Sequence, residues 1–203
     1  MTRRQIDYFF RTLARELDRP ARVIVTGAAA GTLWGSTRPS LDIDFAIHVP
    51  RARQAGWEAA EAAIARAVQL TGIQANYAED IARWGLISLL DYRRHTQRYQ
   101  RFHQLEVRLL DPIYWSIGKI SRYTDPDIHD VVGALKRKRI PAGRVVTVWA
   151  AALRASPRSE ALPLFRRQAE HFLSTYGQTV WGRRFDAPAA IQQFHRAAGI
   201  AAA

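Results

Sequence analysis

The chain has 203 residues, 48% of them hydrophobic, enough for a real core in one domain or one domain with a helical appendage. It has no cysteine, which excludes disulfides and thiolate metal sites, and no apolar run of the ~18 residues that a membrane span needs. Lys and Arg number 30 against 18 Asp and Glu, a net charge of +12. Such a surface attracts RNA, DNA or nucleotide phosphates, unless the arginine content is only a compositional habit of the source.

In chain order, Ile6, Phe9, Phe10, Leu13 and Leu17 fall at helical spacing and predict a helix over residues 3–18. Asp7 and Glu16 interrupt it, so the N-terminus reads as an amphipathic helix rather than a signal peptide, and a cytoplasmic protein is the expectation. Arg22 to Val25 is a short β-branched strand. Gly27 ends it, a short helix follows to Trp34, and a polar loop spans Ser36 to Ser40. Asp42 to Val49 alternates with period two and predicts a strand closed by Pro50. Arg51 to Leu70 reads as a long Ala-rich helix ended by Gly72. Ala75 to Trp84 reads as a short helix. Leu86–Leu90 and Leu105–Leu110 read as strands of one hairpin, joined by a polar, basic stretch from Asp91 to His103. From Asp111-Pro112 onward only helices are expected: to about Tyr123, from Asp125 to about Lys138, Pro141 to Arg154, Ser156-Pro157 to about Tyr176, and a last one near Asp186. The Ala-rich end is expected to fray.

The fold expected is therefore α/β (α+β), a small mixed sheet with flanking helices over residues 1–110, then a helical part over 111–203.

Chemistry concentrates at Gly27 to Ile47. On the strand, Asp42 and Asp44 point to one side and Ile43 and Phe45 to the other. At an effective dielectric near 20, two unit charges 4 Å apart repel by roughly 4 kcal/mol. A divalent cation removes that penalty and uses both groups as oxygen ligands. A strand ending in glycine before a helix offers backbone N–H groups to a phosphate. Phosphate cradle and paired carboxylates together are the equipment of metal-assisted phosphoryl transfer.

Strand, Gly27, short helix, then Asp42-Ile43-Asp44 resembles the nucleotidyltransferase superfamily, the polymerase beta-like fold. Ala28 stands where that family has Gly or Ser, and Arg38 fits a basic residue found before the acidic pair. Residues 115–132, WSIGKISRYTDPDIHDVV, resemble a segment of abortive-infection toxin-like bacterial nucleotidyltransferases, in the order Lys119, Arg122, Asp127, Asp130. The resemblance covers roughly residues 20 to 135. It implies a metal site of Mg²⁺ or Mn²⁺ on Asp42 and Asp44, and nucleotide contacts from Gly27, Ala28, Arg38, Lys119, Arg122, Asp127 and Asp130. Asp127 and Asp130 have a second explanation, as charges at the start of the helix that Pro126 opens.

The superfamily often places a further carboxylate on a neighbouring strand. Glu106, mid-strand, is the choice, ahead of Asp91. The interleaved Arg93, Arg94, Arg98 and Arg101 with Tyr92, Tyr99 and Phe102 suit a single-stranded nucleic acid, or equally a solvated loop anchored by its aromatics. Lys136 to Arg139 reads first as a solvated helix end. No two histidines have a metal-ligand spacing, and neither a P-loop nor a nucleophile-elbow pattern occurs.

The expectation that follows is a metal-dependent nucleotidyltransferase, moving an NMP from an NTP to an acceptor hydroxyl on RNA (tRNA-like) or on a protein. By the resemblance it is a toxin of a toxin–antitoxin pair, with an antitoxin protein as a further partner. The charge argues against a cationic aminoglycoside acceptor. The alternative is a catalytically inactive RNA-binding protein on the same fold, which the alanine at position 28 favours.

Overall fold

The computed structural model describes residues 1–36, 38–50 and 54–200. The expected helix start at Arg51 and the last residues of the Ala-rich tail lie outside them. Among the described residues there are eight α-helices and one five-stranded mixed sheet, the α+β class that the element pattern implies. The chain divides into two compact units, Met1–Ile81 with Arg93–Asp111, and Ala82–Tyr92 with Pro112–Ala203.

In the first unit, α1 (Arg3–Glu16) starts at a capping box. The Thr2 hydroxyl accepts from Gln5 N, and the Gln5 side chain accepts from Thr2 N. β1 (Ala21–Val25), α2 (Gly27–Leu33), β2 (Asp42–His48), α3 (Gln54–Thr71), β3 (Gln74–Ala78), β4 (Thr96–Phe102) and β5 (Leu105–Leu110) follow. The strand order is β3-β2-β1-β5-β4. β1 runs antiparallel to β2 and parallel to β5; β2 is parallel to β3, and β4 antiparallel to β5.

The strict alternation along these strands divides the sheet into two faces. Val23, Val25, Ile43, Phe45, Ile47, Val107 and Leu109 make the apolar one, all buried. It lies under α1, where the Phe9 and Phe10 rings meet Phe45 at centroid distances of 6.2 and 5.8 Å. The opposite face carries Arg22, Asp42, Asp44, His48, Asn76, Glu106 and Arg108.

Two expectations fail here. Residues 74–78 form a strand rather than a helix, because Ala75 and Tyr77 alternate with Gln74 and Asn76 and the segment pairs with β2. Only Ile81–Trp84 coils, as a single 3₁₀ turn. Leu86–Leu90 is not a strand. Leu90 and Asp91 sit at φ +36° and +38°, in the left-handed region, which breaks any extended run. The hairpin partner of β5 is instead the basic segment Thr96–Phe102, the outer strand of the sheet.

The second unit is helical: α4 (Pro112–Arg122), α5 (Asp125–Arg137), α6 (Ala142–Ala155), α7 (Ala161–Trp181) and α8 (Ala187–Ala198). Trp149, Phe165, Phe172 and Phe194 are fully buried between them. The indole N–H of Trp149 finds a partner in Ser116 Oγ at 2.9 Å, which is what a buried tryptophan requires. The segment before Tyr92 joins this unit through Ser88 N, which donates to Ser156 Oγ at 2.8 Å. No helix of the described residues is long and apolar enough to cross a membrane.

Candidate active site

Asp42 and Asp44 stand on the polar face of β2, both partly exposed, while Ile43 and Phe45 between and beyond them are fully buried. Parallel pairing sets Asn76 of β3 beside Asp44. The Asn76 side-chain Nδ2 donates to Asp42 Oδ2 at 2.9 Å and to Asp44 Oδ1 at 3.0 Å. One donor thus spans both carboxylates. The partial positive charge of the amide offsets part of the repulsion between the two carboxylates.

Gly27 closes the other side. Its φ is +61°, and a Cβ added there would stand 1.9 Å from Asp44 Oδ2. Thr26 N donates to Asp44 O at 2.8 Å, tying the end of β1 to β2 at this point. The glycine is therefore required twice, by its backbone angle and by the carboxylate packed on it. Ala28 follows in the first turn of α2, where its carbonyl accepts from Thr32 Oγ1 at 3.3 Å. Arg38 lies in the loop before the pair, with its backbone N–H donated to Ser36 Oγ at 3.3 Å.

Glu106 is not brought to the aspartates. Arg22 pairs with His48 on one side and with Glu106 on the other. That row is four residues along β2 from Asp44, about 13 Å at ~3.3 Å per residue. Both Glu106 oxygens are engaged by arginines, Arg22 Nε at 2.9 Å and Arg108 Nη1 at 2.8 Å. The Arg108 hydrogen bond, with Arg22 beside it, holds the Glu106 carboxyl below the usual carboxylate range. Among the described residues no group of three His, Asp or Glu side chains could hold a metal, so the pair has Asn76 as its third neighbour instead.

Lys119, Arg122, Asp127 and Asp130 do come together, in the second unit. Lys119 Nζ donates to Asp127 Oδ1 and to Asp130 Oδ2, each at 2.8 Å, and all three side chains are at most 4% exposed. Arg122 reaches Asp127 through Nε at 3.0 Å and Nη2 at 2.9 Å. Thr124, not an aspartate, caps α5, and its hydroxyl also donates to Asp127 Oδ2 at 2.9 Å. Burial pushes the Asp127 carboxyl up, but Arg122 and Lys119 outweigh it and hold it at about 2. The Lys119 ammonium lies 5.1 Å from the Trp115 ring centroid. This is a staple between α4 and α5, with its lysine charge already balanced by two carboxylates.

The four expected nucleic-acid arginines are all exposed. Arg98 and Arg101 project from β4, and Arg93 donates Nη2 to Glu79 O at 3.0 Å. The aromatics between them turn inward. Phe102 is buried, and Tyr99 Oη donates to Asp7 at 2.6 Å while accepting from Arg3 Nε at 2.9 Å.

Asn76 and Arg22 are the residues that sequence reasoning passed over. The signal for Asn76 was the alternation Gln74-Ala75-Asn76-Tyr77, which marks a strand next to an Asp-bearing one. No protein-family model, curated protein or solved structure matches the chain.

Proposed function

We propose that the chain is a metal-dependent nucleotidyltransferase that moves an NMP from an NTP to an acceptor hydroxyl. The observation that carries the reading is the bridge from one Asn76 nitrogen to both Asp42 and Asp44. The donor chemistry suits a hard cation: Mg²⁺ is bound through one or two carboxylates plus substrate phosphates, and keeps several waters. Asp42 and Asp44 would hold Mg²⁺ or Mn²⁺ in place of the amide. When bound, the ion supplies Lewis acidity and charge neutralisation at the triphosphate.

The chain's own residues do the rest. Gly27 leaves room for Asp44 to stand against the start of α2. Asn76 keeps the two carboxylates converging while no cation is held. The acceptor oxygen forms its bond to the α-phosphorus as the bond to pyrophosphate breaks, and pyrophosphate departs with the electron pair. With Glu106 held by Arg22 and Arg108, the hydroxyl proton passes to an oxygen of the aspartate pair or to water. An NTP substrate implies a cytoplasmic location.

The test is label transfer from α-labelled NTPs to total RNA in Mg²⁺. Transfer by the native chain and none by Asp44→Asn supports the reading. Absence of transfer with every NTP, together with tight and salt-sensitive RNA binding, replaces it with the non-catalytic RNA-binding protein. Thermal stabilisation by each NTP with Mg²⁺ identifies the nucleotide beforehand.

A further inference from the structure

The sheet register assembles arginines that are scattered in the sequence. Arg22 of β1, Glu106 of β5 and Arg101 of β4 form one row; Ile24, Arg108 and Arg98 form the next. Arg98 and Arg101 are three apart and would face opposite sides of a regular strand. A bulge between Arg98 and Gln100 adds one residue and turns both to the same side. Four guanidinium groups and one carboxylate thus occupy two adjacent rows of three neighbouring strands. Glu106 spends its two oxygens on Arg22 and Arg108. Among the described residues neither Arg98 nor Arg101 is ion-paired with a carboxylate, and both are exposed. Arg98 stands directly opposite Arg108, and like charges so placed oppose folding. Arg108 is held there by Thr96 of β4, whose Oγ1 and carbonyl accept from its Nε and Nη2 at 2.6 and 3.0 Å.

We propose that this arginine face of β1, β5 and β4 is a docking track for the phosphate backbone of RNA, laid so that a ribose hydroxyl reaches Asp42 and Asp44. The second half rests on the nucleotidyl-transfer reading above. The two sites share one face of the sheet, because Arg22 and Ile24 pair with His48 and Ala46, which alternate in step with Asp44 and Asp42. The two arginine rows meet β2 at Ala46 and His48, about 7 and 13 Å along the strand from Asp44.

Three features select the occupant. Tyr99 and Phe102 are turned to α1, where Arg3 and Arg11 cover their rings at 5.2 and 5.9 Å from the centroids. The track therefore has arginines for phosphates and no aromatic platform for bases, so it reads backbone rather than sequence. For the same reason it lacks the apolar anchors that hold a protein in a lipid surface. RNA is preferred to DNA because every RNA residue carries a 2′-hydroxyl, so any docked register offers an acceptor, whereas a DNA strand offers only its end.

The experiment is fluorescence anisotropy with a labelled single-stranded RNA over a series of salt concentrations. It compares the native chain, Arg98→Glu/Arg101→Glu, and a charge-matched control, Arg4→Glu/Arg15→Glu. Arg4 and Arg15 are exposed on α1, which packs on the opposite face. The β4 pair is expected to weaken binding about tenfold or more and to reduce the salt slope by about 1.4, at about 0.7 for each phosphate no longer neutralised. The α1 pair should change affinity less than about twofold. Arg98→Gln/Arg101→Gln repeats the measurement without reversed charge, and thermal melts confirm that each variant folds. Equal weakening by the β4 and α1 pairs overturns the proposal, and label transfer to DNA of the same sequence at the rate seen with RNA overturns the choice of RNA. Binding that maps to β4 in a chain inactive with every NTP supports the track and overturns the transferase reading alone.

Discussion

Gly27 and Asp44 can touch only because Gly27 has no side chain: its missing Cβ would stand 1.9 Å from Asp44 Oδ2. Gly27→Ala therefore forces the carboxylate away and places an L-residue at φ +61°. The left-handed backbone costs roughly 1–2 kcal/mol. A shift of about 1 Å at a catalytic group costs on the order of 10²-fold in rate. The expected result is label transfer down by about that factor, with a melting temperature only a few degrees lower. Transfer at the native rate would show that Asp44 does not act from the position it holds against the glycine.

Asn76→Asp exchanges the bridging donor for a third carboxylate. Without divalent ions, three charges converge where one amide had joined two, and the variant should be less stable than the native chain, by about 1–3 kcal/mol for the lost donor and added repulsion. With Mg²⁺ the sign reverses, because more carboxylate charge tightens a hard-cation site. Melts with and without Mg²⁺ read both arms. A variant that Mg²⁺ does not stabilise more than it stabilises the native chain removes the cation from the site.

Much of the sheet was legible because its core strands alternate cleanly. Ile43, Phe45 and Ile47 announce β2, and Gly27 announces the turn before it. The helical half was legible from Asp-Pro starts at residues 111 and 125. What was not legible depended on pairing. β4 is polar on its exposed side and reads as a loop until β5 is known to need a partner. Leu86 to Leu90 has strand composition, but Leu90 adopts a left-handed turn that no propensity signals. Of the candidate site, the Asp-x-Asp face follows from period two, whereas the position of Glu106 is a matter of strand register. Parity put it on the right face; only the register, which links Glu106 to Arg22 and Arg22 to His48, shows that its row meets β2 four residues from Asp44.

Glu106→Gln tests that placement. Glu106 neutralises Arg22 and Arg108, so the variant leaves two guanidinium groups repelling across neighbouring strands. A loss of up to about 1 kcal/mol is expected, smaller at high salt because the pairs are partly exposed. Label transfer should survive within a few-fold. A loss comparable to that of Asp44→Asn, at unchanged stability, would make Glu106 a catalytic carboxylate after all.

The Lys119 staple makes the last prediction. Lys119→Met leaves Asp127 and Asp130 buried without their shared cation, which costs roughly 3–5 kcal/mol. The pH dependence has a definite sign. The Asp127 carboxyl is held at about 2 in the folded chain, below its unfolded value, so its ionised form stabilises the fold. The contribution, about 2 kcal/mol, is complete above about pH 5 and is lost as the pH falls toward 2. Urea unfolding of the native chain and of Asp127→Asn across that range should show their difference shrinking as acid is added. The same lysine variant separates a staple from a phosphate clamp. A staple predicts a large fall in stability without NTP present. Unchanged stability, together with loss of NTP-dependent stabilisation, would assign Lys119 to the nucleotide instead.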